Sequence, residues 1–424
     1  MKRRLGLVLL VVLLRAVATP AQEPPEPSDL INTLLDGLLG FRTLTETELE
    51  AEVAEVGGVP FRSRVPLDYL TRAELARYLK GVLDDEYPLE KARIDERTLS
   101  ALGLLPPGLD LRRLRAELLE QNIAGFYDER PGKKRLYAVS DDKRLTPANQ
   151  IVLAHELRHA LQDQYAEVHR MLPDSVGDYD DRRLAYLSLL EGDATLVMER
   201  FLLRRLPGGE ELVGAGGAES SLAGMSLPGT ELPGAPPVVR DQLVLPYLVG
   251  RDFALAVQKR GGWSALREAW GRPPASTEQV LHPERFFSGE APRAVALSLA
   301  PPGGRLLGEG VVGELLLRTW LGEGQEAAAG GWGGDRFQVF DVRGKTLLIW
   351  RLVWDSPQDG EEFETAALAR LRRWGQPLAA RGELRAFQGG PWQVLFGRRA
   401  GGFDYAATDD PALLDLVAKG LAQP

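Results

Sequence analysis

The chain is 424 residues long, 44% hydrophobic and 26% charged, with a formal net charge of -9 and no cysteine. That length and apolar content supply a sizeable core and allow two lobes. The acidic balance, without a basic patch interleaved with aromatics, argues against nucleic acid as a partner, and disulfides are excluded.

Residues 1–18 have the layout of a secretory signal peptide: Lys2, Arg3 and Arg4, an apolar run from Leu5 to Leu14, and Ala16-Val17-Ala18 as the cleavage region. That run is too short to cross a bilayer, and no later stretch reaches about 20 apolar residues, so the expectation is a secreted or periplasmic protein with no integral membrane segment. Residues 19–64 form a tether, extended from Pro24 to Pro27, and short N-terminal helices. From Leu67 to Asn122 apolar residues recur at helical spacing, which predicts several short helices broken at Pro106-Pro107-Gly108. Ile123–Tyr127 and Arg135–Val139 flank Pro131-Gly132 and read as a hairpin. Its edge serves either to dock a peptide by strand addition or simply as scaffold.

Thr146-Pro147 supplies an N-cap and a proline at the first helical position, opening a helix that contains His155-Glu156-Leu157-Arg158-His159. Residues four apart share a helical face, so both imidazoles can reach one metal ion while Glu156 points at a water on that metal. With zinc, such water becomes acidic near neutral pH and Glu156 is the general base. A catalytic zinc needs a third protein ligand. Asp181 to Leu206 is helix-like, with Leu184, Leu187, Ala194, Met198 and Phe201 on one stripe, and Glu191 lies in that stripe. A carboxylate on an apolar face is costly unless it is paired, either with a metal or with an arginine such as Arg158 or Arg182. Asp163, Asp193 and Thr195 are candidates for orienting a ligand. His282, in Leu281-His282-Pro283, is the first choice for a catalytic group that stabilises the oxyanion, ahead of Tyr165 and Tyr186, and His169 reads as surface.

The remaining chain divides into a Gly- and Pro-rich loop (207–240), a helical region (241–330) and a small α+β lobe (331–424), following a core at 65–206 that holds the metal motif. In the helical region the helices are expected over Asp241–Trp270 and Gly310–Leu321. In the last lobe Phe337–Val342, Lys345–Trp354, Leu384–Phe387 and Trp392–Phe396 read as strands and Asp359–Trp374 as a helix. The fold class is α+β.

The run from His155 to Gln164, followed by Glu191-Gly192-Asp193-Ala194-Thr195, resembles the gluzincins, zincin metallopeptidases that take a glutamate as third ligand. It is most similar to a group of exported bacterial proteins carrying HELxHALQDQ and EGDA. Gly125-Phe126-Tyr127-Asp128, the run Ser276 to Pro283, and Trp332-Gly333-Gly334-Asp335 extend the likeness. The resemblance implies a zincin-like core with the active-site helix beside a small sheet, zinc held by His155, His159 and Glu191, Glu156 as general base, and a protein or peptide substrate. Two features depart from it. Thirty-one residues separate His159 from Glu191, more than in thermolysin-like enzymes, and Thr195 stands where an Asp is common. The turn residues of 172–178 suit a loop in that gap. Two other readings are a non-catalytic envelope scaffold with a structural metal or none, and a metal-dependent amidase acting on the cell wall.

Overall fold

The computed structural model describes residues 42–171, 177–205, 232, 234–297, 299–399 and 401–421. The expected signal peptide and tether, part of the 172–178 loop and most of the 207–240 loop lie outside the described residues. The fold is mixed α+β.

Thr45 and Glu48 form a capping box that starts α1 (Glu46–Val56). Strand β1 (Leu67–Leu70) follows, where helical spacing was expected. Four residues are too few to set a period, and pairing decides: Leu67 to Leu70 run parallel to Leu136 to Val139. A second capping box, Thr71 with Glu74, starts α2 (Arg72–Glu86), and α3 (Leu89–Ala101) and α4 (Leu111–Asn122) come next. The hairpin forms as β2 (Gly125–Asp128) and β3 (Arg135–Val139), antiparallel, turning at Gly132 with φ 82°. The first sheet therefore has β3 in the centre and β1 and β2 as edges.

Helices α5 (Pro147–Ala166), α6 (Asp181–Arg204), α7 (Pro237–Gly271), α8 (Thr277–Leu281) and α9 (Pro283–Ser288) follow. No helix among the described residues is long and apolar enough to cross a membrane. The second sheet starts earlier than expected, at β4 (Gly304–Gly310), inside the stretch read as helical. Its Gly-Arg-Leu-Leu-Gly-Glu-Gly sequence has no apolar alternation, and it is an edge strand held by its neighbour. After α10 (Gly313–Leu321) and α11 (Glu326–Ala329) come β5 (Trp332–Val342), β6 (Lys345–Trp354), α12 (Pro357–Trp374), β7 (Gln376–Arg381), β8 (Leu384–Gly389), β9 (Trp392–Arg399), β10 (Gly402–Thr408) and α13 (Pro411–Leu421). The seven strands are antiparallel in the order β4-β5-β6-β10-β9-β8-β7.

Both faces of this sheet are covered, which explains why Leu347 to Trp350 of β6 are consecutive apolar residues. Leu347 and Ile349 join Leu414 and Val417 of α13 on one side. Leu348, Trp350 and Leu352 join Trp320 of α10 and Phe363 of α12 on the other. The helices α2 to α4 pack into that second layer rather than standing apart: Tyr405 Oη donates to the Ala101 carbonyl at 2.7 Å and Trp320 Nε1 to the Leu102 carbonyl at 2.9 Å.

Two neighbouring buried carboxylates tie the sheet to α6. Asp335 of β5 accepts from the backbone N–H groups of Val312 and Gly313 (2.8 and 2.9 Å) and from the indole N–H groups of Trp332 and Trp350 (2.9 and 3.0 Å). Next to it, Asp181 at the start of α6 accepts from the backbone and hydroxyl of Thr277, whose Oγ1 in turn accepts from Leu315 N–H at 3.1 Å. Asp335→Ala strands four buried donors and is expected to destabilise the chain by about 3–5 kcal/mol. Urea unfolding followed by tryptophan fluorescence measures it, and a change under ~1 kcal/mol contradicts the role.

Candidate metal centre

Helix α5 carries the metal motif because its ends are well defined. Thr146 accepts from Asn149 N–H, Pro147 occupies the first turn, and Glu167 closes the helix in the left-handed region. From Gln150 to Asp163 every residue is buried, so the imidazoles face protein on all sides.

The structure brings His155, His159 and Glu191 together. His155 Nε2 lies 3.1 Å and His159 Nε2 3.7 Å from Glu191 Oε2, and one ligand atom from each residue falls within 4.8 Å of the other two. Donors on a tetrahedral zinc with bonds of about 2.0–2.1 Å stand roughly 3.4 Å apart, which the two shorter separations bracket. The exposures are 0% for His155, 2% for His159 and 4% for Glu191. This buried group can hold a metal ion.

The electrostatics suit a cation. Burial and the neighbouring imidazole hold His155 well below the usual histidine range, and burial depresses His159 to about 4, so both rings are neutral with a lone pair to offer. Burial drives Glu191 upward, with hydrogen bonding from Tyr247 as the opposing influence. Among the described residues no Lys or Arg stands within 4 Å of Glu191. Arg158, the arginine that could have neutralised it, instead makes a two-pronged pair with Asp193 at 2.9 Å.

Glu156 is fully buried. Its Oε2 accepts the Tyr127 backbone N–H at 3.0 Å while Oε1 has no hydrogen-bond partner among the described residues. Burial, then Glu191, push its carboxyl well above the ordinary range. Since Ala124 carbonyl bonds Val139 in β3, the alternate residues Gly125 and Tyr127 turn their backbone groups outward, and the outer edge of β2 runs past Glu156.

Two residues that sequence reasoning missed complete the centre. Gln162 Oε1 accepts from His159 Nδ1 at 2.7 Å, which leaves Nε2 as the lone-pair nitrogen. The Gln162 amide donates to the Leu190 carbonyl and to Asp193, both at 2.9 Å, and Asp193 also takes the Trp270 indole N–H. Asp193 therefore orients His159 through Gln162. The spacing of Gln162, three residues after His159, was a usable signal. Tyr247 of α7 stacks on His155 with ring centres 5.8 Å apart. It gets there because α6 and α7 cross in contact at glycines: a Cβ on Gly192 would stand 2.0 Å from the Gly250 backbone, and one on Gly250 2.0 Å from the Ser188 carbonyl. Nothing in the local sequence around Tyr247 reveals that crossing.

Other candidates fall elsewhere. His282 caps the end of α8, and its Nε2 lies 3.0–3.1 Å from both oxygens of Glu314, so the structure does not bring it to the metal group. A loop histidine followed by proline looks unengaged, but a buried glutamate 32 residues away has claimed it. Asp163 does not touch His159; it accepts from Tyr127 Oη and pairs with Lys134, both at 2.9 Å, anchoring β2 and its turn to α5. His169, read as surface, is tucked beside Asp163 with only 7% of its side chain exposed. Tyr165 donates to the Pro60 carbonyl. Tyr186 and Thr195 are buried with hydroxyls that have no hydrogen-bond partner among the described residues.

A family model described as a domain of unknown function (DUF8575) matches residues 304–410, which are the seven-stranded sheet from β4 to the turn after β10. No curated protein and no solved structure matches the chain. The metal group lies outside the matched segment, and its reading rests on its own geometry.

Removing the amide relay with Gln162→Leu should weaken metal binding roughly 10–100-fold with little loss of folding stability, read by competition with a fluorescent chelator. Gly192→Ala should separate α6 from α7, lowering both thermal stability and metal affinity. A variant that melts and binds like the parent refutes the close crossing.

Proposed function

We propose that the chain is an exported zinc-dependent metallopeptidase with a zincin-like core that hydrolyses peptide bonds. The observation that carries this reading is the convergence of His155, His159 and Glu191, from two helices, into one buried group with a free carboxylate oxygen next to it. Two neutral nitrogens and one carboxylate oxygen are the donor set of a catalytic zinc of the glutamate-ligand kind, and they leave room for a fourth partner.

His155, His159 and Glu191 would hold the ion. Bound there, zinc polarises a carbonyl and lowers the pKa of water toward neutrality. Glu156 keeps one oxygen on the Tyr127 N–H, which fixes its carboxylate, and presents the other to take a proton from water and return it to the leaving amine. The outward edge of β2 offers backbone groups along which an extended peptide can lie next to that carboxylate. Tyr247, packed on His155 and bonded to Glu191, is the side chain placed to orient the ligands and to donate toward developing negative charge, in place of His282.

One feature favours a second reading, a scaffold in which the metal is structural: all four central side chains are almost wholly enclosed. The two readings separate on Glu156→Gln. Under the peptidase reading the purified protein carries one equivalent of zinc and cleaves casein in a chelator-sensitive manner. Glu156→Gln then loses roughly 10²–10⁴ in rate with zinc retained, whereas His155→Ala, His159→Ala or Glu191→Ala lose the metal. Zinc bound tightly with hydrolysis of neither casein nor peptidoglycan points to the scaffold, and full activity in Glu156→Gln removes the mechanism.

A further inference from the structure

A cavity of about 440 Å³ lies between α3, the turn that enters α6, and the edge strand β4, and none of its walls comes from the metal centre. That volume falls within the range of small-molecule sites, about 300–1,000 Å³. Ile94, Leu99, Leu307 and Phe337 provide apolar walls. The pairing of β4 with β5 shifts register between Leu306 and Gly308, so Leu307 is the extra residue of a bulge, and the bulge aims its side chain into the chamber. Gly308 allows the strand to close on α3: a Cβ there would stand 3.3 Å from Ile94 Cγ2.

The charges in the walls are unevenly satisfied. Asp178, beside the cavity, collects Lys91 at 2.6 Å, Arg115 at 2.8 Å and Arg183 at 3.9 Å, and these cations hold it far below the usual carboxylate range against the cost of burial. Asp180 accepts from the backbone N–H groups of Val311 and Arg182. Glu309 at the rim pairs with Arg336. Asp95 has, among the described residues, neither an ion pair nor a backbone donor. It lines the cavity and takes the Tyr87 hydroxyl at 2.9 Å, but among the described residues no Lys or Arg lies within 4 Å of it. Burial, with Asp178 next, pushes its carboxyl up to about 7, against the more distant Arg115 and Lys91 and the Tyr87 hydroxyl, which draw it down. A carboxyl set in an apolar chamber, with its neighbours' cations already committed, is matched by a ligand that brings its own positive charge on an apolar body.

We propose that this cavity binds an apolar primary amine, its ammonium on Asp95 and its body between Ile94, Leu99, Leu307 and Phe337. Such an amine is either a free molecule or the N-terminal residue of a peptide; the shared chemistry is the ammonium beside an apolar group. The site stands whether or not the chain is a peptidase.

Isothermal titration of the full chain with tryptamine tests it, run on zinc-loaded and on chelator-treated protein so that any coordination of the amine to zinc is separated from cavity binding. One equivalent of tryptamine should bind equally in both preparations, and indole-3-propionate, the same ring with a carboxylate, should bind at least tenfold more weakly. Asp95→Asn should lose at least tenfold for tryptamine, and Leu307→Trp, which fills the chamber from a strand edge, should abolish binding with an unchanged circular dichroism spectrum. Tryptophanyl-alanine amide binding as tightly as tryptamine assigns the site to peptide N-termini, and much weaker binding assigns it to free amines. The proposal is overturned if the amine and the acid bind wild-type protein alike, if tryptamine binds only when zinc is present, or if both variants bind it as the parent does.

Discussion

The arrangement of the metal group depends on one buried ion pair. Arg158 of α5 and Asp193 of α6 are both 0% exposed and meet through two parallel hydrogen bonds of 2.9 Å. Burying such a pair costs desolvation that its attraction only partly repays, so its value lies in specifying one arrangement. A two-pronged guanidinium–carboxylate contact tolerates little rotation or slip between the helices that carry it. With Arg158 fixed, His155 and His159 sit one turn apart opposite Glu191, and Gln162 reaches the same aspartate. The pair also consumes an arginine of the helix that carries both histidines. Glu191 is left as a buried carboxylate with no Lys or Arg within 4 Å among the described residues, and a metal ion is a partner that could offset its desolvation.

A close crossing then seals this pair of helices. The Glu191-Gly192-Asp193 run places a glycine between the candidate ligand Glu191 and the aspartate that orients His159, and α7 lies directly on that glycine. Because the backbones touch at Gly192 and Gly250, Tyr247, about one turn earlier on α7, comes level with His155 and Glu191. The same helix breaks at Gly261 and Gly262, where φ reaches 67° at Gly262, and its second half turns back to bring Trp270 onto Asp193. One chain segment thus touches His155 and Glu191 directly and His159 through the aspartate that orients it.

The second sheet acts on the centre from a distance. Asp335 gathers the start of α10 and two tryptophans, while Asp181, in the first turn of α6, is bonded by Thr277. Gly313 has φ 72° and approaches Asp181 so closely that a Cβ there would overlap its carboxylate. The segment 304–410, whichever proteins share it, is therefore joined to the helix that supplies Glu191 at its first turn, ten residues before the ligand.

What the sequence reveals and what it hides follow the range of the interactions. The spacing of His155, Glu156 and His159 is local to one helix, and so is the stripe that holds Glu191, so both can be read without a structure. The hairpin, the long helices and the central strands of the second sheet are legible for the same reason. β1 and β4 are not, because each is short or unpatterned and owes its conformation to a partner strand. The partner of His282 is hidden for a related reason: whether a loop histidine is free depends on what folds against it, and Glu314 does. Arg158 illustrates the limit most clearly. From the sequence it competes for Glu191 on equal terms with a metal, and only the packing of α5 on α6, which delivers Asp193 to it first, decides that the ligand carboxylate remains open.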